Sequence, residues 1–104
     1  MRIAIYGSGG LGGYYGVRLA QAGHDVVFIA RGEHLAAIRA NGLKVISPLG
    51  DALIEAPTAT DDPTTVPPVD AVLVAVKTWQ VEAVAHAMKP MLKSDTVVVP
   101  FLNG

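Results

Sequence analysis

A cluster of glycines near the start of the chain constrains its fold more than any other feature. Gly7, Gly9 and Gly12 follow the short apolar run Arg2–Tyr6 and open the segment Leu11–Ala22. The apolar run predicts a strand, the glycines a tight turn and the segment a helix. Gly-x-Gly-x-x-Gly between a strand and a helix is the fingerprint of a dinucleotide-binding βαβ unit.

Each glycine of the fingerprint has its own physical role. Gly7 permits the sharp turn, Gly9 lets the backbone approach a pyrophosphate, and Gly12 lets the helix pack closely on the sheet. The first amides of the helix then face the phosphates. A glycine-rich turn that binds nothing is the alternative, and the flanking strand and helix favour the binding site. The predicted site includes the intervening residues Ser8, Gly10 and Leu11.

Strands and helices alternate along the rest of the chain. This order predicts an α/β fold of Rossmann type, with a mostly parallel, doubly wound sheet in the order 3-2-1-4-5 and helices on both faces. The third strand is expected to turn back on itself as a hairpin, and Pro90 to end or kink the last helix near Lys89. The predicted elements are strands at Asp25–Ala30, Asp70–Val76 and Asp95–Val99, helices at Glu33–Ala40 and Thr78–Leu92, a hairpin of Leu43–Ile46 and Ala52–Ala56, and a loop over Pro57–Val69.

The composition excludes several functional classes. With 51% apolar and 16% charged residues the chain is not disordered, and its net charge of −1 gives no basic surface for nucleic acid or an anionic membrane. Zero cysteines exclude disulfides and cysteine-based zinc sites, and the three histidines show no metal spacing. No apolar run approaches the ~20 residues of a membrane span. We therefore expect a cytoplasmic protein without metal, membrane or nucleic-acid partners.

Polar residues follow the predicted strands at the edge where open parallel sheets bind ligands. Arg31 occupies the position about 20 residues after the last glycine, where NAD sites usually carry an acid. A guanidinium is suited to a 2′-phosphate rather than a bare hydroxyl, so the sequence predicts NADP(H) as cofactor. The alternative is that Arg31 is a solvated residue capping the second helix.

Lys77 and Asn103 complete the predicted site. Lys77 can neutralise a phosphate or polarise a carbonyl, and Asn103 can donate to a carbonyl or carboxamide of cofactor or substrate. The alternatives are an exposed loop lysine and an ordinary Asn-Gly turn. The remaining candidates are expected to lie on the surface or in packing contacts, the surface group being His24, His34 and His86 and the packing group Tyr14, Tyr15 and Trp79.

Several motifs together give the chain a family resemblance over its whole length. It resembles the N-terminal domain of the ketopantoate reductase (2-dehydropantoate 2-reductase) family. The glycine fingerprint is shared by many dehydrogenases, but its combination with Ala-Arg-Gly, Val-Lys and Asn-Gly at successive strand ends is more discriminating. The segments that carry the resemblance are Ile3–Gly13, Ala22–Val26, Ala30–Leu35, Val76–Thr78 and Leu102–Gly104.

The resemblance implies an NADPH-dependent reductase of a 2-oxo acid, converting ketopantoate to pantoate on the route to pantothenate and coenzyme A. It implies that residues 7–12 hold the pyrophosphate and Arg31 the 2′-phosphate. It also implies that Lys77 lies beside the cofactor and that Asn103 lies between nicotinamide and substrate. Family members usually carry Gln where this chain has Leu102, which bears on the identity of the substrate.

The family's catalytic lysine belongs to a second, helical domain that has no counterpart in this chain. Residues 1–104 are therefore expected to form a cofactor-binding domain, a truncated fragment that binds NADP(H) but has no catalytic residue and is inactive alone. Its expected partners are a small 2-oxo acid and its own C-terminal domain, and a homodimer is left open. The alternatives are another two-domain dehydrogenase, of the glycerol-3-phosphate or 6-phosphogluconate type, and a non-catalytic nucleotide-sensing module.

Overall fold

The structure is a computed structural model that describes residues 1–7, 10–46, 48 and 50–100. Short 3₁₀ turns at Pro63–Thr65, Thr78–Gln80 and Lys89–Met91 connect some of its elements. In chain order the helices and strands are β1 (Arg2–Tyr6), α1 (Gly10–Gln21), β2 (Asp25–Ile29), α2 (Gly32–Asn41), β3 (Leu43–Val45), β4 (Ala52–Ile54), β5 (Thr58–Thr60), β6 (Ala71–Val74), α3 (Val81–Ala87) and β7 (Val97–Pro100).

The main sheet is parallel throughout its described part, in the order β5-β2-β1-β6-β7. At its centre Ile5 of β1 lies opposite Phe28 of β2 and Leu73 of β6. Counted along the chain, this is the predicted order 3-2-1-4-5, and the α/β fold class is confirmed. Continuous apolar strands such as β6 are buried on both faces, as central strands of parallel sheets are.

The third strand of the main sheet differs from the prediction. The hairpin of β3 and β4 forms a separate antiparallel sheet. The strand beside β2 is instead β5, which falls in the segment Pro57–Val69 predicted as loop. The prediction was wrong because the backbone hydrogen bonds of β3 and β4 are satisfied within their own hairpin. A strand parallel to β2 must begin at the same edge of the sheet as β2, and β5 does so. A three-residue strand beside Pro57 carries too little periodicity to be recognised.

Two apolar cores cover the two faces of the sheet because successive side chains of a strand alternate. Ile3, Ile5 and Phe28 face α1, with Leu19 and Ala20 packed against them. Ala4 and Tyr6 point to the opposite face, where Met88 and Met91 cover them. The strands are thus enclosed by helical segments from both sides, as the doubly wound prediction requires.

Helix α1 packs closely on the sheet through its glycines. A Cβ at Gly16 would overlap the Phe28 ring, and a Cβ at Gly12 would overlap the backbone of the Gly7 turn. Gly23 has nothing within 4 Å of its Cβ position and a φ of +96°, so it serves the end of the helix instead. The close packing predicted for Gly12 is confirmed, and Gly16 packs on the sheet in the same way one turn further along the helix.

The last helical region is shorter than predicted. Helix α3 ends at Ala87 and a 3₁₀ turn carries Pro90, so the expected break near Lys89 is confirmed. Its inner side is formed by Met88 and Met91, both buried. Trp79, predicted as a packing residue, is 80% exposed, because the chain enters α3 through a 3₁₀ turn that carries the ring outward.

A network of charges lies where the strands of the main sheet begin. The Asp70 carboxylate accepts a hydrogen bond from the backbone N–H of Arg2 and pairs with Lys93 Nζ, each at 2.7 Å. Arg2 Nε also pairs with Asp25 at 3.0 Å. The Lys93 contact, followed by the Arg2 N–H, lowers the pKa of Asp70 below its ordinary value. The interaction therefore favours the ionised carboxylate and stabilises the fold.

We expect Asp70→Asn to lower the unfolding midpoint at neutral pH but not in acid. Because the pKa of Asp70 is lowered by folding, its contribution is present above the unfolded pKa, near pH 4, and is lost as the pH falls through the folded value. Thermal unfolding of both proteins from pH 7 to about pH 2 measures this difference. Asp25→Asn, which removes a more exposed ion pair, is the control and should have the smaller effect. If the difference in unfolding midpoint between the unmodified protein and Asp70→Asn stayed constant with pH, the stabilising role of the ionised Asp70 carboxylate would be contradicted.

Candidate functional site

Three of the predicted site residues lie at the carboxyl edge of the sheet. Gly7 follows the end of β1, while Arg31 and Lys77 lie two and three residues beyond the ends of β2 and β6. The strands are parallel, so these ends meet at one edge. Between β1 and β6 the chain changes face, because α1 and α3 cover opposite sides. A crevice at such a switch point is where open α/β sheets bind ligands.

The turn after β1 accepts only glycine at its first position. Gly7 has a φ of +81°, in the left-handed region, and a Cβ there would overlap the carbonyl oxygen of Ala75. Ala75 cannot move aside freely, since its N–H donates to the Tyr6 carbonyl at 2.9 Å. The backbone that follows β1 therefore packs in close contact with the backbone that follows β6.

The first turn of α1 lies at the carboxyl edge of the sheet. Gly12 lies so close to the Gly7 carbonyl that any larger residue would displace the helix, and its Cβ position is 3.0 Å from Ala75 Cβ. The helix has 12 residues and no acidic side chain in its first turn. Its first amides and its positive dipole end thus lie at the carboxyl edge, and the first turn itself carries no counter-charge. This arrangement fits a pyrophosphate.

Part of the predicted site lies outside the described residues. This applies to Ser8, Gly9 and Asn103, and for Gly10 and Leu11 only the backbone is described. The roles assigned to these residues stay predictions. The geometry of the fingerprint rests on Gly7 and Gly12, the first and last of its glycines.

Arg31 holds the position before α2 with an extended backbone, φ −146° and ψ 166°. Its carbonyl accepts from the Leu35 N–H at 3.4 Å, but its side chain makes no capping hydrogen bond. The exposed guanidinium has no hydrogen bond or ion pair with any residue in the described ranges. Arg31 is thus a cap only through its backbone, and its side chain is available to a ligand.

Lys77 is exposed at the start of the 3₁₀ turn that leads into α3. Its N–H donates to Gln80 Oε1 at 3.0 Å and its carbonyl accepts from the Gln80 N–H at 2.8 Å, which fixes the backbone. Its ammonium has no carboxylate partner in the part of the chain that the structure describes. Arg31 and Lys77 therefore both lie on the same edge as the first turn of α1.

The two ends of the sheet differ in how their charges are satisfied. At the amino end the ion pairs Asp70–Lys93 and Arg2–Asp25 neutralise one another. At the carboxyl end Arg31 and Lys77 are unpaired among the described residues. These two cations can bind a small anion. At the amino end, an open cavity of about 200 Å³ is lined in part by His24 and Pro57.

Two residues near the site were not recognised from the sequence. Asp61 directly follows β5, whose last residue Thr60 lies opposite Ile29, so its backbone lies beside the segment that leads to Arg31. It was missed because β5 was predicted as loop. The signal that could have revealed it is the turn sequence Asp-Asp-Pro, which directly follows the Thr-Ala-Thr of β5. The second is Tyr6, the last residue of β1, which the apolar pattern of that strand concealed.

The described residues hold no group of His, Asp and Glu that could bind a metal ion. His34 and His86 are exposed, as predicted, and His24 Nδ1 lies 3.4 Å from the N-terminal amine at the other end of the sheet. No helix among the described segments is long and apolar enough to cross a membrane. The carboxyl edge therefore offers glycine backbone, helix amides and two cations, which can bind and orient a phosphorylated ligand.

Known proteins with this fold include close matches. Residues 3–104 match the family model described as ketopantoate reductase PanE/ApbA. A 2-dehydropantoate 2-reductase from Nostoc sp. is 37% identical over 99% of this chain. The crystal structure of 2-dehydropantoate 2-reductase from Geobacter metallireducens is 38% identical and superposes on the whole chain with a TM-score of 0.90. The ternary structure of D-mandelate dehydrogenase with NADH and anilino(oxo)acetate is 29% identical, with a TM-score of 0.83.

The matches agree on the extent of the similarity as well as on its kind. This chain spans about a third of the length of the relatives that it matches, 32% of the Nostoc protein and 34% of the Geobacter protein. The family resemblance inferred from the glycine turn, Ala-Arg-Gly and Val-Lys is confirmed. The chain belongs to the ketopantoate reductase PanE/ApbA family of oxidoreductases.

Proposed function

We propose that the chain is the cofactor-binding part of an NADPH-dependent 2-oxo-acid reductase, with ketopantoate as the substrate and pantoate as the product. The choice of cofactor is supported by the Arg31 guanidinium, which is unpaired among the described residues and lies beyond the end of β2, on the same edge as the Gly7 turn. A forked cation there recognises a 2′-phosphate, which NADPH has and NADH lacks. The location we propose is the cytoplasm.

The proposed contributions of this chain are binding and orientation. The first amides of α1 hold the pyrophosphate, and Gly7 and Gly12 allow it to approach because neither carries a side chain. Arg31 binds the 2′-phosphate at one end of the crevice. Lys77, after β6, lies at the other end and neutralises the cofactor phosphates or polarises the substrate carbonyl. Asn103 is proposed to orient nicotinamide and substrate.

The chemistry that the cofactor supplies when bound is a hydride for the carbonyl carbon of the 2-oxo acid. The alkoxide that forms needs a proton, and the role we propose for Lys77 is to bind phosphate or polarise the carbonyl rather than to supply this proton. We therefore propose that the general acid, a lysine, comes from a C-terminal domain, as the family resemblance implies. Residues 1–104 would then bind NADPH without turning it over.

A second substrate is favoured by one specific match. The D-mandelate dehydrogenase structure carries, by its title, NADH and anilino(oxo)acetate, and it shares this fold over the whole chain. A 2-oxo acid with a bulkier side chain is thus the second candidate substrate. The names of the matched relatives favour both 2-oxo acids over a glycerol-3-phosphate or 6-phosphogluconate dehydrogenase. A nucleotide-sensing module would bind NADPH and consume none with any substrate.

The test of the proposed function is NADPH oxidation, followed by absorbance, in the longest protein that contains this sequence. We expect oxidation with ketopantoate and none without a 2-oxo acid, and binding without oxidation for residues 1–104 alone. Phenylglyoxylate, the 2-oxo acid that corresponds to mandelate, is the second substrate. A faster reaction with phenylglyoxylate would replace the first substrate by the second. If NADPH binds but is not oxidised in the presence of either 2-oxo acid, both substrates are refuted.

A further inference from the structure

The segment that leads to Lys77 is anchored beside the glycine turn. Ala75 lies against Gly7, because a Cβ at Gly7 would overlap its carbonyl oxygen, and its N–H donates to the Tyr6 carbonyl at 2.9 Å. Val76 packs against the apolar core cluster on the α3 side of the sheet. Since consecutive Cα atoms are about 3.8 Å apart, the Cα atom of Lys77 lies within roughly 7.6 Å of that of Ala75. A lysine side chain at this position can reach a ligand at the Gly7 turn.

The other side of Lys77 is fixed by Gln80. Gln80 Oε1 accepts a hydrogen bond from the Lys77 N–H at 3.0 Å, and the Gln80 N–H donates to the Lys77 carbonyl at 2.8 Å. The spacing of three residues and the direction of the side-chain bond are those of a capping box, in which a Gln or Glu of the first turn binds the N–H of the residue before it. Gln80 thus satisfies both backbone polar groups of Lys77.

Gln80 supplies this cap without adding a charge. Glutamate serves equally well in a capping box and would also interact favourably with the positive end of a helix. A carboxylate at residue 80 would, however, compete with a phosphate for the Lys77 ammonium, because residues three apart on a helical turn are neighbours. The neutral amide holds the Lys77 backbone and leaves its ammonium to a ligand.

We propose that Gln80 is a positioning residue, which holds the Lys77 backbone so that the Lys77 ammonium reaches the phosphates of a dinucleotide at the Gly7 turn. The inference rests on the proposed function, in which Lys77 binds the cofactor. Gln80 acts only through Lys77 and makes no cofactor contact of its own. Without the cap the Lys77 backbone would sample several conformations, and cofactor binding would have to select one of them.

The test is a double-mutant cycle of Gln80→Met and Lys77→Met in the 104-residue chain, with NADPH affinity measured by cofactor fluorescence. Methionine is unbranched like glutamine and has only a weak acceptor in its thioether. Gln80→Met alone should weaken NADPH binding roughly two- to tenfold, the range that corresponds to the loss of a helix cap. In the Lys77→Met background the same change should have no effect on affinity, because the residue through which Gln80 acts is gone.

Trp79 gives a second readout, which does not depend on the cofactor. It is the only tryptophan of the chain, and it lies 80% exposed within the turn between Lys77 and Gln80. Gln80→Met should lower its fluorescence anisotropy in the free protein, because the turn becomes more mobile. Lys77→Met should leave the anisotropy unchanged, since the bonds of Lys77 to Gln80 are made by its backbone. An anisotropy that Gln80→Met does not change would overturn the proposal.

Gln21→Met is the matched control, because it makes the same substitution at an exposed position at the other end of α1 and should change neither readout. An unchanged NADPH affinity of Gln80→Met, or an equal loss in both backgrounds, would overturn the proposal. If Lys77→Met bound NADPH as tightly as the unmodified chain, the role of Lys77 would fail together with this inference. Failure of the unmodified chain to bind NADPH would instead refute the proposed cofactor site as a whole.

Discussion

Arg31→Ala is expected to remove most of the preference of the chain for NADPH over NADH. The guanidinium has no partner among the described residues, so its interaction with a 2′-phosphate is not opposed by the loss of a bond within the protein. Charge-assisted hydrogen bonds of this kind contribute about 1.5–3 kcal/mol, which corresponds to a loss of roughly 10- to 150-fold in NADPH affinity. NADH affinity should change little.

Two further variants distinguish the effect of the forked shape of the Arg31 side chain from the effect of its positive charge. Arg31→Lys keeps a point charge without the forked donors and should retain an intermediate preference. Lys44→Ala removes one positive charge from an exposed position on the β3–β4 hairpin and is the control for net charge. Titration of each protein with both cofactors gives the ratio of the two affinities. Equal affinities in the unmodified chain, or an Arg31→Ala ratio like that of the unmodified chain, would contradict the role of Arg31.

Gly7→Ala is expected to cause a large loss of stability. Its φ of +81° costs an alanine about 1–2 kcal/mol, and its Cβ would also overlap the Ala75 carbonyl. Because the Ala75 N–H is bonded to Tyr6, relief of the overlap would separate the ends of β1 and β6. Overpacking of this kind costs a further ~1–3 kcal/mol. We expect the free energy of unfolding in urea to fall by about 2–5 kcal/mol.

Gly23→Ala is the matched control for backbone strain alone. Its φ is +96°, also in the left-handed region, but nothing lies within 4 Å of its Cβ position. It should therefore lose only about 1–2 kcal/mol. Equal losses for Gly7→Ala and Gly23→Ala would show that the contact between the Gly7 turn and Ala75 is not tight, and that Gly7 is present only for its conformation.

The sequence was most informative where one residue type is physically required. Gly7, Gly12 and the buried strands could be predicted because a tight turn and a two-sided sheet tolerate few alternatives. The third strand could not, because β5 is held by its pairing with β2, a contact remote in sequence. Whether β3 and β4 join the main sheet or pair with each other is likewise decided by tertiary contacts.

The site shows the same division. The positions of Arg31 and Lys77 after their strands were readable from the chain order, since parallel strands end on one edge. That their side chains have no ion pair among the described residues could not be predicted, because it depends on which carboxylates lie nearby in space. The burial of the Tyr6 hydroxyl, which has no hydrogen-bond partner in the described part of the chain, could not be predicted either, because it depends on the packing around β1.

The proposed function depends most on a dinucleotide that binds at the carboxyl edge, against the first turn of α1. The most direct measurement is an NADPH titration of the isotope-labelled chain, followed residue by residue through its backbone amide NMR signals. We expect the largest changes in chemical shift around Gly7, Gly12, Arg31 and Lys77, and almost none at the amino end of the sheet. Shifts confined to the opposite cavity around His24 and Pro57, or no shifts at all, would contradict it.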